Sequence, residues 1–190
     1  ARIEIPWWKH IRTSPDGSLA PEAEDGYLKG YHRADLSDDK DWRNTWNLIL
    51  RPFRGQDGLK YAGYAWFRQS FDLPANGSGE PVVFCLGGYN HEDWFDYRVY
   101  VNGVPIGNRS AKGRWREPGQ FEVRPGTPAY AALRFGAKNQ LAIQVRGYDR
   151  TFGGFPDRVL ERFAYDGVLA DQFLTVGRPY LRLSDFRLRN

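Results

Sequence analysis

The chain has 190 residues, 41% of them hydrophobic and 26% charged, a globular balance with enough length for one domain and a full core. Its net charge of +4 comes from 27 basic and 23 acidic residues spread along the sequence, so no basic stripe of the kind that reads nucleic acid is present, and no apolar run is long enough to cross a membrane. Neither nucleic-acid binding nor membrane insertion is expected.

Seven tryptophans, 11 tyrosines and 12 phenylalanines stand among 21 glycines and 12 prolines. Aromatic side chains suit pleated, half-buried surfaces, and glycine and proline punctuate short strands, so the composition predicts an all-β antiparallel sandwich. One domain over residues 1–190 is expected, because no repeat, low-complexity tract or Pro/Ser-rich linker divides it.

Residues 1–45 read as a polar, loop-rich wrap, with turn chemistry at Ser14-Pro15-Asp16-Gly17 and Ser37-Asp38-Asp39-Lys40-Asp41. The chain opens on Ala1 and contains no methionine, which suggests a processed product or an excised piece, with any targeting signal out of view. Trp7, Trp8, Trp42 and Trp46 read as core or interdomain anchors rather than ligand platforms.

Residues 65–73 alternate, with Phe67, Phe71 and Leu73 on one face, and end in Pro74-Ala75-Asn76-Gly77. Val82-Val83-Phe84-Cys85-Leu86 is continuously apolar and predicts a central strand in which the single cysteine, Cys85, packs as a small hydrophobe. One cysteine makes no intrachain disulfide and leaves the redox compartment open. Residues 97–107 alternate into Asn102-Gly103 and return, which predicts a hairpin with a primed turn, and Pro105 places the returning strand at an edge. Residues 120–123 and 140–146 predict two more strands, and residues 180–188 a closing strand with a bulge. Helical spacing is confined to residues 129–133 and 157–165.

These segments come in a recognisable order. Gly63-Tyr64-Ala65-Trp66-Phe67-Arg68-Gln69-Ser70-Phe71-Asp72-Leu73-Pro74 precedes the apolar strand and Gly87-Gly88; then come Tyr100-Val101-Asn102-Gly103-Val104-Pro105-Ile106-Gly107 and Gly136-Ala137-Lys138-Asn139 before the strand at 140–146. Over residues 60–155 the chain resembles the sugar-binding jelly roll of β-galactosidase and β-glucuronidase type glycoside hydrolases. Similar jelly rolls occur in sialic-acid O-acetylesterases, rhamnosidases and bacterial sensor ectodomains. The resemblance implies a galactose-binding-domain-like fold with short helical turns, and an accessory role toward carbohydrate in a larger extracellular or periplasmic protein, with other domains of that protein as partners.

Three segments carry candidate binding chemistry. Asn90, His91, Glu92, Asp93 and Trp94 combine a flat ring with carboxylates and amides, as a sugar requires; the alternative is a surface loop with an aromatic tucked beneath it. Arg114-Trp115-Arg116 would suit an acidic sugar, or Trp115 is a core plug between solvated arginines. Asp149 and Phe152 lie in a glycine-bearing segment after a strand. A calcium site on Glu92, Asp93 and Asp96 matches no recognised loop spacing, and no cofactor is expected. His10, His32 and His91 have no neighbours at metal-ligand spacing, and no nucleophile elbow, Walker loop or dinucleotide fingerprint occurs. The sequence therefore predicts a non-catalytic carbohydrate-binding module, with a structural or protein-interaction domain of the same fold as the alternative.

Overall fold

The computed structural model describes residues 2–4, 7–36, 40–46, 63–86, 95–110, 119–147 and 173–177. Ten strands occur there: β1 (Arg2–Glu4), β2 (Trp7–Arg12), β3 (Arg43–Trp46), β4 (Gly63–Asp72), β5 (Val82–Leu86), β6 (Phe95–Val101), β7 (Val104–Ser110), β8 (Gly119–Val123), β9 (Lys138–Gly147) and β10 (Phe173–Val176). Two single-turn helices accompany them, α1 (Asp25–Leu28) and α2 (Pro128–Ala131), the second overlapping residues 129–133, where helical spacing was read. The predicted closing strand at 180–188 and the helical stretch at 157–165 lie outside the described residues.

The strands form two antiparallel sheets, ordered β1-β10-β5-β8 and β3-β2-β4-β9-β6-β7. The fold is an all-β sandwich. Between the sheets lie Phe67, Phe71, Phe84, Leu86, Val99, Val101, Leu141, Ile143, Val145 and Leu174, all buried. β5 is interior to its sheet and buried at all five positions, as its unbroken apolar run predicts. The β6–β7 hairpin turns on Asn102 (φ 48°) and Gly103 (φ 89°), the two positive φ values of a type I′ turn, and β7 is an edge strand, in keeping with Pro105. Asn102 also fastens the turn to β9: its carboxamide accepts from the Gln140 amide (2.8 Å) and donates to the Ala132 carbonyl (2.7 Å) and the Asn139 side chain (2.8 Å).

The six-stranded sheet is covered on its outer face as well. Residues 13–36 cross it, and a second cluster of Tyr31, Trp42, Trp66, Tyr100 and Ala142 is buried beneath them with Ile11, Tyr27 and Leu36. An aromatic side chain buries 150–250 Å², so each of these rings contributes roughly 4–6 kcal/mol of transfer free energy before the entropy of ordering the segment is charged against it. Both faces of β4 are therefore buried along most of its length. Residues 2–4 and 7–12, within the expected loop-rich wrap, supply β1 and β2. Strand alternation fails there because Trp8 faces the inter-sheet core while Ile11, opposite Trp66, lies under the covering segment.

Glu24 organises that covering segment. It is fully buried, and its carboxylate accepts from Thr13 Oγ1 (2.6 Å), the Gly26 and Tyr27 amides (2.9 and 2.7 Å), Trp66 Nε1 (2.6 Å) and Gln144 Nε2 (3.0 Å). A buried carboxylate is tolerated only when its lone pairs are filled this way. The two amides belong to the first turn of α1, so the group that ties the segment to β4 and β9 is also the cap of its helix. Gly26 lies so close to the Trp66 indole that a Cβ there would overlap the ring.

Candidate functional site

The ten residues nominated from sequence, Asn90, His91, Glu92, Asp93, Trp94, Arg114, Trp115, Arg116, Asp149 and Phe152, all lie outside the described residues. The strand termini that bound their segments do fall within them. Phe95 pairs with Gly147, Asp96 with Ser110, Leu86 with Gly119, and Gly63 with Gly147. β5, β6, β7, β8 and β9 thus begin or end side by side, at one end of the sandwich.

Polar side chains gather at that end. Inside it, Arg109 of β7 is 9% exposed and stands beside the Tyr97 hydroxyl. Burial pushes the Tyr97 phenol up, and the neighbouring guanidinium partly offsets this. On the outer face, register aligns Tyr64, Arg146 and Asp96 in one row across three strands. Arg146 donates from Nε to the Gly17 carbonyl (2.6 Å) and lies 5.9 Å from the Tyr64 ring centre.

The adjacent row reads Ile11, Trp66, Gln144, Arg98 and Asn108, passing from buried under residues 13–36 to open at the edge strand. Arg98 is at the boundary. It pairs with Glu22 of the covering segment and lies beside the Tyr100 hydroxyl. Partial burial pulls its guanidinium down, but the carboxylate and the phenol together hold it above its ordinary value. Burial pushes Tyr100 up to about 12, against the pull of Arg98. Tyr27 stacks on His32 (4.5 Å, 14°), and His32 lies 5.5 Å from Tyr100.

Two hollows flank Arg98. One, of about 160 Å³, lies toward the loop end among Pro21, Tyr64, Asp96, Asn108, Gln144 and Arg146. The other, of about 440 Å³, is bounded by Glu22, Tyr27, Tyr100, Pro105 and Ile106, with Arg98 and Asn108 common to both. Among the described residues no three histidine, cysteine, aspartate or glutamate side chains come together to hold a metal, and no helix is long and apolar enough to cross a membrane.

Residues 27–150 match the family described as the β-galactosidase second all-beta domain. The chain belongs to that family. No curated protein matches it closely enough to be named as a relative. Among solved structures, a glycosyl hydrolase family 2 member from Bacteroides cellulosilyticus superposes with a TM-score of 0.57 at 14% identity, over 92% of this chain and 20% of that one. A β-glucuronidase of Ruminococcus gnavus gives 0.54 at 17% identity, over 77% and 22%, and one from an uncultured Clostridium 0.51 at 19%, over 77% and 22%. This second all-beta domain thus spans about a fifth of the length of those chains.

The family match takes in β3 through β9, and with them Arg98 and Asn108, while Pro21, Glu22 and Glu24 precede it. Sequence reasoning missed those last two and Arg98. The outward phase of residues 97–101 does point to Arg98 and Tyr100, but nothing local says that a segment 76 positions earlier meets them.

Proposed function

We propose that this second all-beta domain is a non-catalytic, carbohydrate-binding accessory domain of a larger glycan-processing protein. The observation that carries the reading is one of proportion. The domain is matched to a β-galactosidase family and corresponds to about a fifth of enzymes named for acting on glycosides, which leaves the reacting groups to the rest of such a chain. Asn90 to Trp94, Arg114 to Arg116, Asp149 and Phe152 are the residues proposed to meet the sugar.

A protein-docking domain would instead present a flat apolar face. Among the described residues, Leu28 at 71% exposure is the one large apolar side chain that stands out, and isolated exposed side chains are ordinary. Concave ground with mixed polar groups and rings favours carbohydrate.

The test is a tryptophan-fluorescence titration against neutral and acidic mono- and oligosaccharides, with and without calcium, using Trp94→Ala and Trp115→Ala as controls. A saturable change lost in either variant is expected. Silence across the panel would replace this reading with the protein-interaction one.

A further inference from the structure

Residues 13–36 are tied to the six-stranded sheet at two places that differ in chemistry. The earlier tie is Glu24, whose buried carboxylate holds the first turn of α1 against Trp66 and Gln144. The later one centres on His32. Between them the chain turns on Gly30 (φ 76°), which ends α1 with bonds from the Gly30 amide to the Tyr27 carbonyl and from the Tyr31 amide to the Gly26 carbonyl, both 2.9 Å. Glycine makes that turn a pivot, so residues 30–36 can part from the sheet while Glu24 stays in place.

His32 is half-buried among rings from three elements: Tyr27 of α1 (4.5 Å, 14°), Tyr100 of β6 (5.5 Å) and Trp66 of β4 (6.3 Å). The β6–β7 turn brings no charge to it; a Cβ on Gly103 would lie 3.7 Å from Arg33 Cα. The His32 Nδ1 is buried and meets no hydrogen-bond partner among the described residues. A neutral imidazole tolerates this, because one of its nitrogens carries no proton, whereas an imidazolium carries two and strands a buried donor.

The surrounding charges also disfavour a cation. Arg33 and Arg68 both face the ring, and Arg68 is itself buried, donating from Nη2 to the Arg33 carbonyl (2.7 Å) across the same contact. Among the described residues the carboxylate facing the ring is Asp35, and both its oxygens already accept from Arg33 (3.0 and 2.7 Å). Beyond Tyr100, Glu22 and Arg98 pair with each other. The faces of Tyr27 and Tyr100 attract a cation, but where water reaches the stack that attraction is weaker than the loss from a buried N–H without an acceptor.

We propose that His32 is an acid-sensitive latch: protonation of its ring releases residues 30–36 about Gly30 and uncovers Trp66 and Tyr100, while Glu24 keeps the preceding residues docked. The device is independent of what the domain binds. Burial, then Arg33 and Arg68, hold the docked ring below its ordinary value of 6.5, which the released ring regains. Release therefore takes up a proton: the docked form is fully favoured above 6.5 and loses its advantage as pH falls through the docked value. Tyr100, pushed up to about 12, and Asp35, held below the usual carboxylate range by Arg33, keep one charge state through that window.

The test is amide hydrogen exchange of the whole chain, followed by NMR at about pH 7.5 and about pH 5 and corrected for intrinsic exchange. The Tyr31 and Arg33 amides, bonded to the Gly26 and Gly30 carbonyls, are expected to lose protection at least about threefold at the lower pH, while the Gly26 and Tyr27 amides held by Glu24 keep theirs. His32→Phe keeps a flat ring against Tyr27 and cannot be charged, so it should make the two conditions alike. If that variant does not fold, titration of the His32 Cε1 proton in the parent chain replaces it, with an apparent pKa below 6.5 expected. Equal protection at both pH values, a loss shared equally by Gly26 and Tyr27, a loss that persists in His32→Phe, or a His32 pKa at or above 6.5 would each overturn the latch.

Discussion

At Glu24 a carboxylate leaves water and receives five neutral donors in exchange. Truncating it to alanine removes the acceptor for the buried Trp66 indole and for Gln144, and each stranded buried donor costs about 1–3 kcal/mol. Glu24→Ala should therefore lower unfolding free energy by roughly 2–5 kcal/mol in urea denaturation. A loss below about 0.5 kcal/mol, the range of an indifferent surface change, would show that the covering segment is held by its rings alone. The Glu22–Arg98 pair is a different case. It is half-open to solvent, and such pairs contribute about 0–1 kcal/mol, so it adds little to stability.

Among the elements, the β6–β7 hairpin and β2 show what a sequence discloses. The hairpin is legible because its cause is local: Asn102-Gly103 meets the two positive φ values the turn demands. Gly103→Ala places a Cβ in that region and should cost about 1–2 kcal/mol by thermal melt, whereas an unchanged melt would mean that the turn relaxes without penalty. β4, β5, β8 and β9 are legible for a similar reason, since each carries its burial pattern in its own residues. β2 is not, because its outer face is buried by a segment that arrives later in the chain, and β10 at Phe173–Val176 carries too few residues for a period. The same logic divides the candidate site. The segments at 90–94, 114–116 and 149–152 were nominated from aromatic and charged composition, while the hollows beside Arg98 depend on residues 21–27 meeting β6, a long-range encounter that no local pattern records.

On the scale of the whole molecule, the two buried aromatic layers make the sandwich sensitive to acid through its histidines. Burial lowers His10, aided by Arg12 and Arg43 and opposed by the imidazole's hydrogen bond to the Arg43 backbone carbonyl. Burial likewise lowers His32, with Arg33 and Arg68 adding to the effect and Asp35 opposing it. A base whose folded pKa is depressed binds more protons when unfolded. Its contribution is thus intact above the unfolded value of 6.5 and is lost as pH falls through the folded one. The melting temperature should fall between about pH 7 and pH 5, and His10→Asn with His32→Asn should flatten that slope. A slope unchanged in the double variant would assign the acid sensitivity to other groups.

On the function proposed above, the chain holds sugar without transforming it. Saturation-transfer difference NMR on the intact chain, with a mixture of neutral β-linked oligosaccharides followed over hours, reads both halves of that statement at once. The predicted result is transfer to the ring protons of at least one oligosaccharide while every component of the mixture persists unchanged. Transfer to none of them, or the appearance of cleaved sugars, would contradict it.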